Sequence, residues 1–177
     1  MVIPPSRIAL TAISLILSAT MRAQLPQPGS RPASAVPPPA DLAQLMKGIV
    51  FPSANVFFAA QTDDPAAIKP DSKPAVSPNL LTSTFGKWEA VENSALALAE
   101  SAALLTLPGR RCSNGAEVPV RTAEWEKLTA QLREAGMTAF QAARSRNQDS
   151  VLNAAEAVTT ACSSCHARYR EKSNRCR

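Results

Sequence analysis

An all-α fold, an antiparallel four-helix bundle, is predicted for this 177-residue chain by three observations. Four stretches carry apolar residues three and four apart, the spacing that gathers them on one face of a helix. No stretch alternates apolar and polar residues in the manner of a half-buried strand. Pro- and Gly-containing segments separate the stretches, where they stop one helix and let the next begin. Four helices of this length bury their apolar faces by packing antiparallel around one core.

The N-terminus precedes the predicted bundle. Residues 1–23 have the pattern of an export signal: Arg7, then the apolar run Ile8 to Ser18, then small residues up to Ala23. The run is short for a membrane span, so cleavage after Ala23 is expected, with an uncleaved anchor as the alternative. Residues 24–40 form a Pro-rich linker, with Pro26, Pro28, Pro32, Pro37, Pro38 and Pro39. Proline lacks an amide donor and favours extended, solvated backbone. The bundle domain is then expected over 41–177.

Asp41 is placed to cap the first helix, which runs through Leu42, Leu45, Met46, Ile49 and Val50. Pro52 predicts a kink, with the helix resuming through Val56, Phe57 and Ala60. From Thr62 to Pro78 the chain is polar and punctuated by prolines, which reads as a long crossover loop. The second helix is expected to start after Thr84 or Gly86. Its seam is Trp88, Val91, Ala95, Leu98, Ala102 and Leu105, ended by Pro108-Gly109. Thr122 caps a third helix with seam Trp125, Leu128, Leu132, Ala135, Ala139 and Ala142. A fourth begins near Asp149, with Val151, Ala155, Val158, Cys162, Cys165 and Tyr169 on one face.

That last face carries the chemistry. Cys162-Ser163-Ser164-Cys165-His166 is C-x-x-C-H, the attachment sequence for a c-type haem. Each thiol can form a thioether to a haem vinyl group, and the following histidine becomes an axial ligand of the iron. On a helix Cys162, Cys165 and His166 are i, i+3 and i+4, so all three point into one sector, toward the core. His166 is the single histidine of the chain, which excludes a multihaem array and bis-histidine ligation within one chain. One covalently attached haem c is the predicted cofactor, its motif on the C-terminal helix of the bundle. Covalent haem of this type is installed in bacteria outside the cytoplasmic membrane, so the motif and the export signal together predict a periplasmic protein.

In an up-down-up-down bundle the end of helix four lies beside the start of helix one, the end of helix two and the start of helix three. That topology collects Met46, Leu104, Leu105 and Trp125 around the haem, in an apolar surround that raises the iron potential. Met46 is the candidate distal ligand; its alternative role is as one more apolar residue of the buried face. Met137 falls toward the far end of helix three. Ile49 is the neighbour that would cap an open iron instead.

Other chemistries compete for the cysteines. Two thiolates and a histidine could bind zinc, with Cys112 or Cys176 as fourth ligand, although a histidine abutting the second cysteine closes a tetrahedron poorly. A redox-active C-x-x-C normally starts a helix after a strand, whereas this pair sits near a helix end. Cys112 and Cys176 follow helices that end at the same pole, so a disulfide between them is the favoured reading, against free thiols or a link between chains.

Charge narrows the partners. The chain has 19 basic and 14 acidic residues, a net +5; loss of Arg7 and Arg22 with the signal leaves 17 basic residues against 14 acidic. No basic stripe is interleaved with aromatics, so nucleic acid is not an expected partner. Arg168, Arg170, Lys172, Arg175 and Arg177 form a basic tail near the predicted haem edge. It could steer an acidic redox partner, or simply complement the helix dipole. No nucleophile–base pair or paired carboxylates suggest hydrolysis, so no enzymatic activity is predicted.

The C-terminal C-x-x-C-H followed by x-x-Tyr-Arg, at the end of a four-helix chain, resembles the cytochrome c′ or class II cytochrome c family. Cys162, Cys165, His166, Tyr169 and Arg170 carry the resemblance. It implies a monohaem four-helix bundle over about Asp41 to Lys172, with the histidine below the iron. Opposite it, on helix one, stands an apolar residue (five-coordinate iron) or a methionine (six-coordinate). Leu45 to Val50 stands at that place, while the basic residue many members carry before it is missing and Pro52 is unusual. Class II members are often dimers through their first two helices, so a homodimer is one form the resemblance allows. The expected function is electron transfer with His166 and Met46 on the iron. The alternatives are a five-coordinate protein binding nitric oxide or carbon monoxide, and a helical binding module without haem.

Overall fold

Asp41 opens the first helix with a reciprocal cap. Its carboxylate accepts the Gln44 backbone N–H at 2.7 Å, and the Gln44 side-chain oxygen accepts the Asp41 N–H at 2.9 Å. The computed structural model describes residues 36–69, 71–73, 77, 79–82, 85–170 and 176. The predicted export signal, the linker before residue 36, Pro70, Pro74, Pro78, Thr84, Lys172, Arg175 and Arg177 lie outside them. The described residues are all-α: four long helices, one 3₁₀ turn at Leu80–Thr82 and no strand beyond a single Arg111–Glu117 bridge.

Helix α1 spans Leu42–Ala59 without a break. It is α-helical over Leu42–Leu45, π-helical over Met46–Val50 and α-helical again over Phe51–Ala59. Pro52 explains the middle segment. It has no N–H to offer, and in a regular helix its ring would press on the carbonyl of Gly48. A wide turn just before it, in which the Phe51 N–H reaches back to the Met46 carbonyl, makes room for the ring. The expected interruption is therefore absorbed ahead of the proline, and the helix resumes to Ala59.

Helix α2 spans Trp88–Leu105, and all six residues of its predicted seam are buried. Buried Arg110 closes its end. The guanidinium donates to the Leu104 carbonyl at 3.2 and 3.1 Å and to the Ala40 carbonyl at 2.6 Å. One side chain thus satisfies a helix-end carbonyl and holds the approach to α1. Leu42 N–H donates to the Arg111 carbonyl at 2.8 Å, so the start of α1 lies against the loop that follows α2.

Helix α3 spans Ala123–Arg144, capped by Thr122, whose hydroxyl accepts the Trp125 N–H at 3.3 Å. Its seam is buried through Ala139; at the last turn Ala143 is buried and Ala142, the predicted residue, is only half-buried. Arg146, at φ 53°, turns the chain tightly into α4, Gln148–Tyr169, with Asn147 as its cap. Gln148 Nε2 donates to the Ala60 carbonyl at 3.0 Å, tying the start of α4 to the end of α1.

Consecutive helices pack on one another: α1 on α2, α2 on α3 and α3 on α4. Gly136 lets α3 approach α2, since a Cβ there would fall 2.6 Å from the Ala99 nitrogen. One core cluster gathers Phe57, Val91, Leu98, Val151 and Val158. Burying a side chain such as Phe57 contributes roughly 1.5–3 kcal/mol. Leu81, fully buried in the 3₁₀ turn, joins this core from the stretch between the predicted loop and the second helix, to which the sequence assigns no element. A second cluster, at the other end, holds Leu42, Leu45, Leu105, Trp125 and Leu132.

Candidate functional site

The backbones of α1 and α4 approach each other closely at few points. Between them, beside the second core cluster, lies a cavity of about 420 Å³. That volume is within the range of pockets that take organic ligands. Cys162, Cys165 and His166 line it from α4, one helical turn presenting two sulfurs and an imidazole. All three are half-buried.

The remaining predicted pocket residues stand as follows. Met46 lines the cavity from the π turn of α1, Leu105 from the end of α2 and Trp125 from the start of α3. Tyr169 and Arg170 line it beyond the motif. Two expectations are corrected. Ile49 is 39% exposed and lies outside the lining, because the π turn winds fewer degrees per residue than the α-helix on which its placement relied. Leu104 is half-buried against the second cluster and also lies outside the lining, with its neighbour Leu105 in that place.

The wall includes residues that the sequence did not assign to the pocket. Val50, Ala54 and Phe58 extend the α1 side, and Lys47 and Asn55 supply polar groups in addition to Arg170. Helical spacing from Met46 through Val50 to Ala54 was the available signal for the apolar three. Phe51 also contributes to the lining and is 63% exposed.

A network beside the cavity fixes the end of α4. Arg168 Nε donates to Glu124 Oε2 at 2.6 Å, and the Tyr169 hydroxyl donates to the same oxygen at 3.2 Å. Arg168 of the basic tail is thus engaged within the domain. The Trp125 indole N–H donates to the Leu105 carbonyl at 3.1 Å, which anchors the largest apolar wall residue.

The thiol chemistry separates the competing readings. Burial pushes both motif thiols up, Cys165 to about 11, with the neighbouring Cys162 adding to its shift. A disulfide oxidoreductase needs the reverse, a thiol pulled below its ordinary value. Cys112 and Cys176 are joined in a disulfide, so neither stands as a thiolate to complete a zinc site. Among the described residues no cluster of three or more His, Cys, Asp or Glu side chains could hold a metal ion.

The donor set and its setting do fit a c-type haem: two sulfurs, an imidazole, an apolar cavity and a thioether from a second helix. Comparison with protein-family models, curated proteins and solved structures finds no match to this chain.

Proposed function

We propose that this chain is an exported monohaem c-type cytochrome of the class II kind, an electron carrier rather than an enzyme. One observation carries the reading: the C-x-x-C-H turn opens onto an apolar cavity whose wall also contains Met46. Haem bound there would supply a one-electron iron centre. Cys162 and Cys165 would hold it through thioethers, His166 through its imidazole, and Met46 as the sixth ligand. Lys47 and Arg170, the cationic side chains of the lining, would meet its propionates. Leu105, Trp125 and Tyr169 would keep water from the iron and so raise its potential.

The finer architecture proposed is an antiparallel four-helix bundle. The ties of the α1 start to the loop after α2, of α4 to the α1 end, and of Glu124 to Arg168 support it. The site of action is the periplasm, and the partner is a redox protein with an acidic face that meets the basic end of α4.

The test is the chain co-expressed with a cytochrome c assembly system. An intact mass increased by one haem, and a low-spin reduced spectrum unmoved by carbon monoxide, are expected. A high-spin spectrum that shifts with carbon monoxide would transfer the reading to gas binding. An unmodified mass would leave a helical module without haem.

A further inference from the structure

One part of the cavity wall belongs to neither a helix nor the haem motif. Cys176 lines the cavity, and its sulfur is bonded to Cys112 in the loop after α2. Both halves are buried, at 7% and 3% exposure, in the cluster that contains Leu42, Leu105 and Trp125. Those three residues line the cavity too. The bond therefore sits in the wall rather than at a distance from it.

We infer that the Cys112–Cys176 disulfide is a redox-sensitive wall of the site, closed when oxidised and opened by a dithiol reductant. The inference rests on the haem reading of the cavity. Cysteine is a small apolar side chain with little surface to bury, so its own packing holds it weakly. The covalent link to a position 64 residues earlier holds it firmly. Without the link, water and small ligands gain a path to the iron past Leu42 and Leu105.

The exchange is balanced. One thiolate of the reductant attacks a sulfur of the pair, the S–S bond breaks, and the departing cysteine takes up a proton. The second thiol of the reductant then displaces the other cysteine, leaving two cysteine thiols and a cyclic disulfide. The carbon–sulfur bonds of Cys162 and Cys165 to haem are not disulfides and take no part. One reagent therefore opens the wall and leaves the attachment intact.

The test uses the full chain matured with haem, its mass confirming both the haem and the disulfide. Dithiothreitol followed by iodoacetamide opens and caps the pair, and a Cys112→Ser/Cys176→Ser variant provides a second route. Carbon monoxide association is timed in a Met46→Ala background, where the sixth site is free, and reduction potentials are measured with Met46 present. A severalfold faster association and a lower potential are expected by either route. If both quantities stay unchanged while only thermal stability falls, the bond is a staple and the inference is overturned. A chain that takes up no haem overturns the parent reading, and this inference with it.

Discussion

Trp125 and Tyr169 meet edge-on, with ring centroids 4.8 Å apart. Through this contact the first turn of α3 is fastened to the last turn of α4, immediately after the C-x-x-C-H motif. Glu124 reinforces it by accepting from Arg168 and Tyr169, and Trp125 reaches on to the Leu105 carbonyl of α2. Three helices thereby fix one end of the cavity.

Trp125→Ala should therefore cost about 3–5 kcal/mol, the range for removing a large buried aromatic. Tyr169→Phe, which keeps the ring and loses the hydroxyl's contacts to Glu124 and Thr122, should cost about 1 kcal/mol. Urea unfolding of the two variants against the parent measures both.

Gly136→Ala tests the approach of α3 to α2. The new methyl would meet Ala99 backbone at 2.6 and 2.8 Å, and a helix backbone cannot swing aside as a side chain can. A loss of about 1–3 kcal/mol is expected, with a lower thermal midpoint. Gly48→Ala, whose methyl meets nothing within 4 Å, should be far milder.

Met46→Ala should convert a low-spin, carbon-monoxide-insensitive spectrum into one that responds to carbon monoxide, and lower the potential. Ile49→Ala, outside the cavity wall, should leave both unchanged. The optical spectra of reduced protein with and without the gas decide this.

The raised motif thiols make the haem-free chain sensitive to alkali. In the folded chain burial pushes the Cys165 thiol up to about 11, above the ordinary thiol range near 9. Below about pH 9 the thiol is protonated in both folded and unfolded chains, and its burial contribution is fully present. Between pH 9 and 11 the unfolded chain ionises first, so that stability is lost. A Cys162→Ser/Cys165→Ser variant should show a flatter decline over this window, and thioether formation should abolish it. Thermal melts at stepped pH give the comparison.

Much of this arrangement is legible in the sequence itself. The α2 seam from Trp88 to Leu105 is buried in full because three-and-four spacing needs no tertiary information to select a face. Asp41 and Thr122 cap their helices because a short side-chain oxygen before an apolar run has one obvious partner. The motif cysteines and His166 share a cavity because their spacing already shares a sector. What spacing could not supply was the hydrogen-bond register next to Pro52. Whether a proline kinks a helix or is met by a wide turn depends on what packs around it, and this moved Ile49 out of the site. Leu81 was hidden for a similar reason, since the pair Leu80-Leu81 between the proline-rich loop and the second helix is too short to show a periodicity. Cys176 as a wall residue depended on where the pole of the fold closes, which the chain order suggests only for the bond itself.

The wide turn at Met46–Val50 has one more consequence. A π turn is a helix holding a residue more than its neighbours do over the same path. Deleting a residue from α2 would rotate everything beyond it by about 100° and scatter the seam. Deleting Gly48 would instead let α1 relax to ordinary pitch with both ends still in phase, provided Pro52 were exchanged for a residue with an amide hydrogen. Among the described helices, α1 is thus the one that could lose a residue and keep its ends in phase.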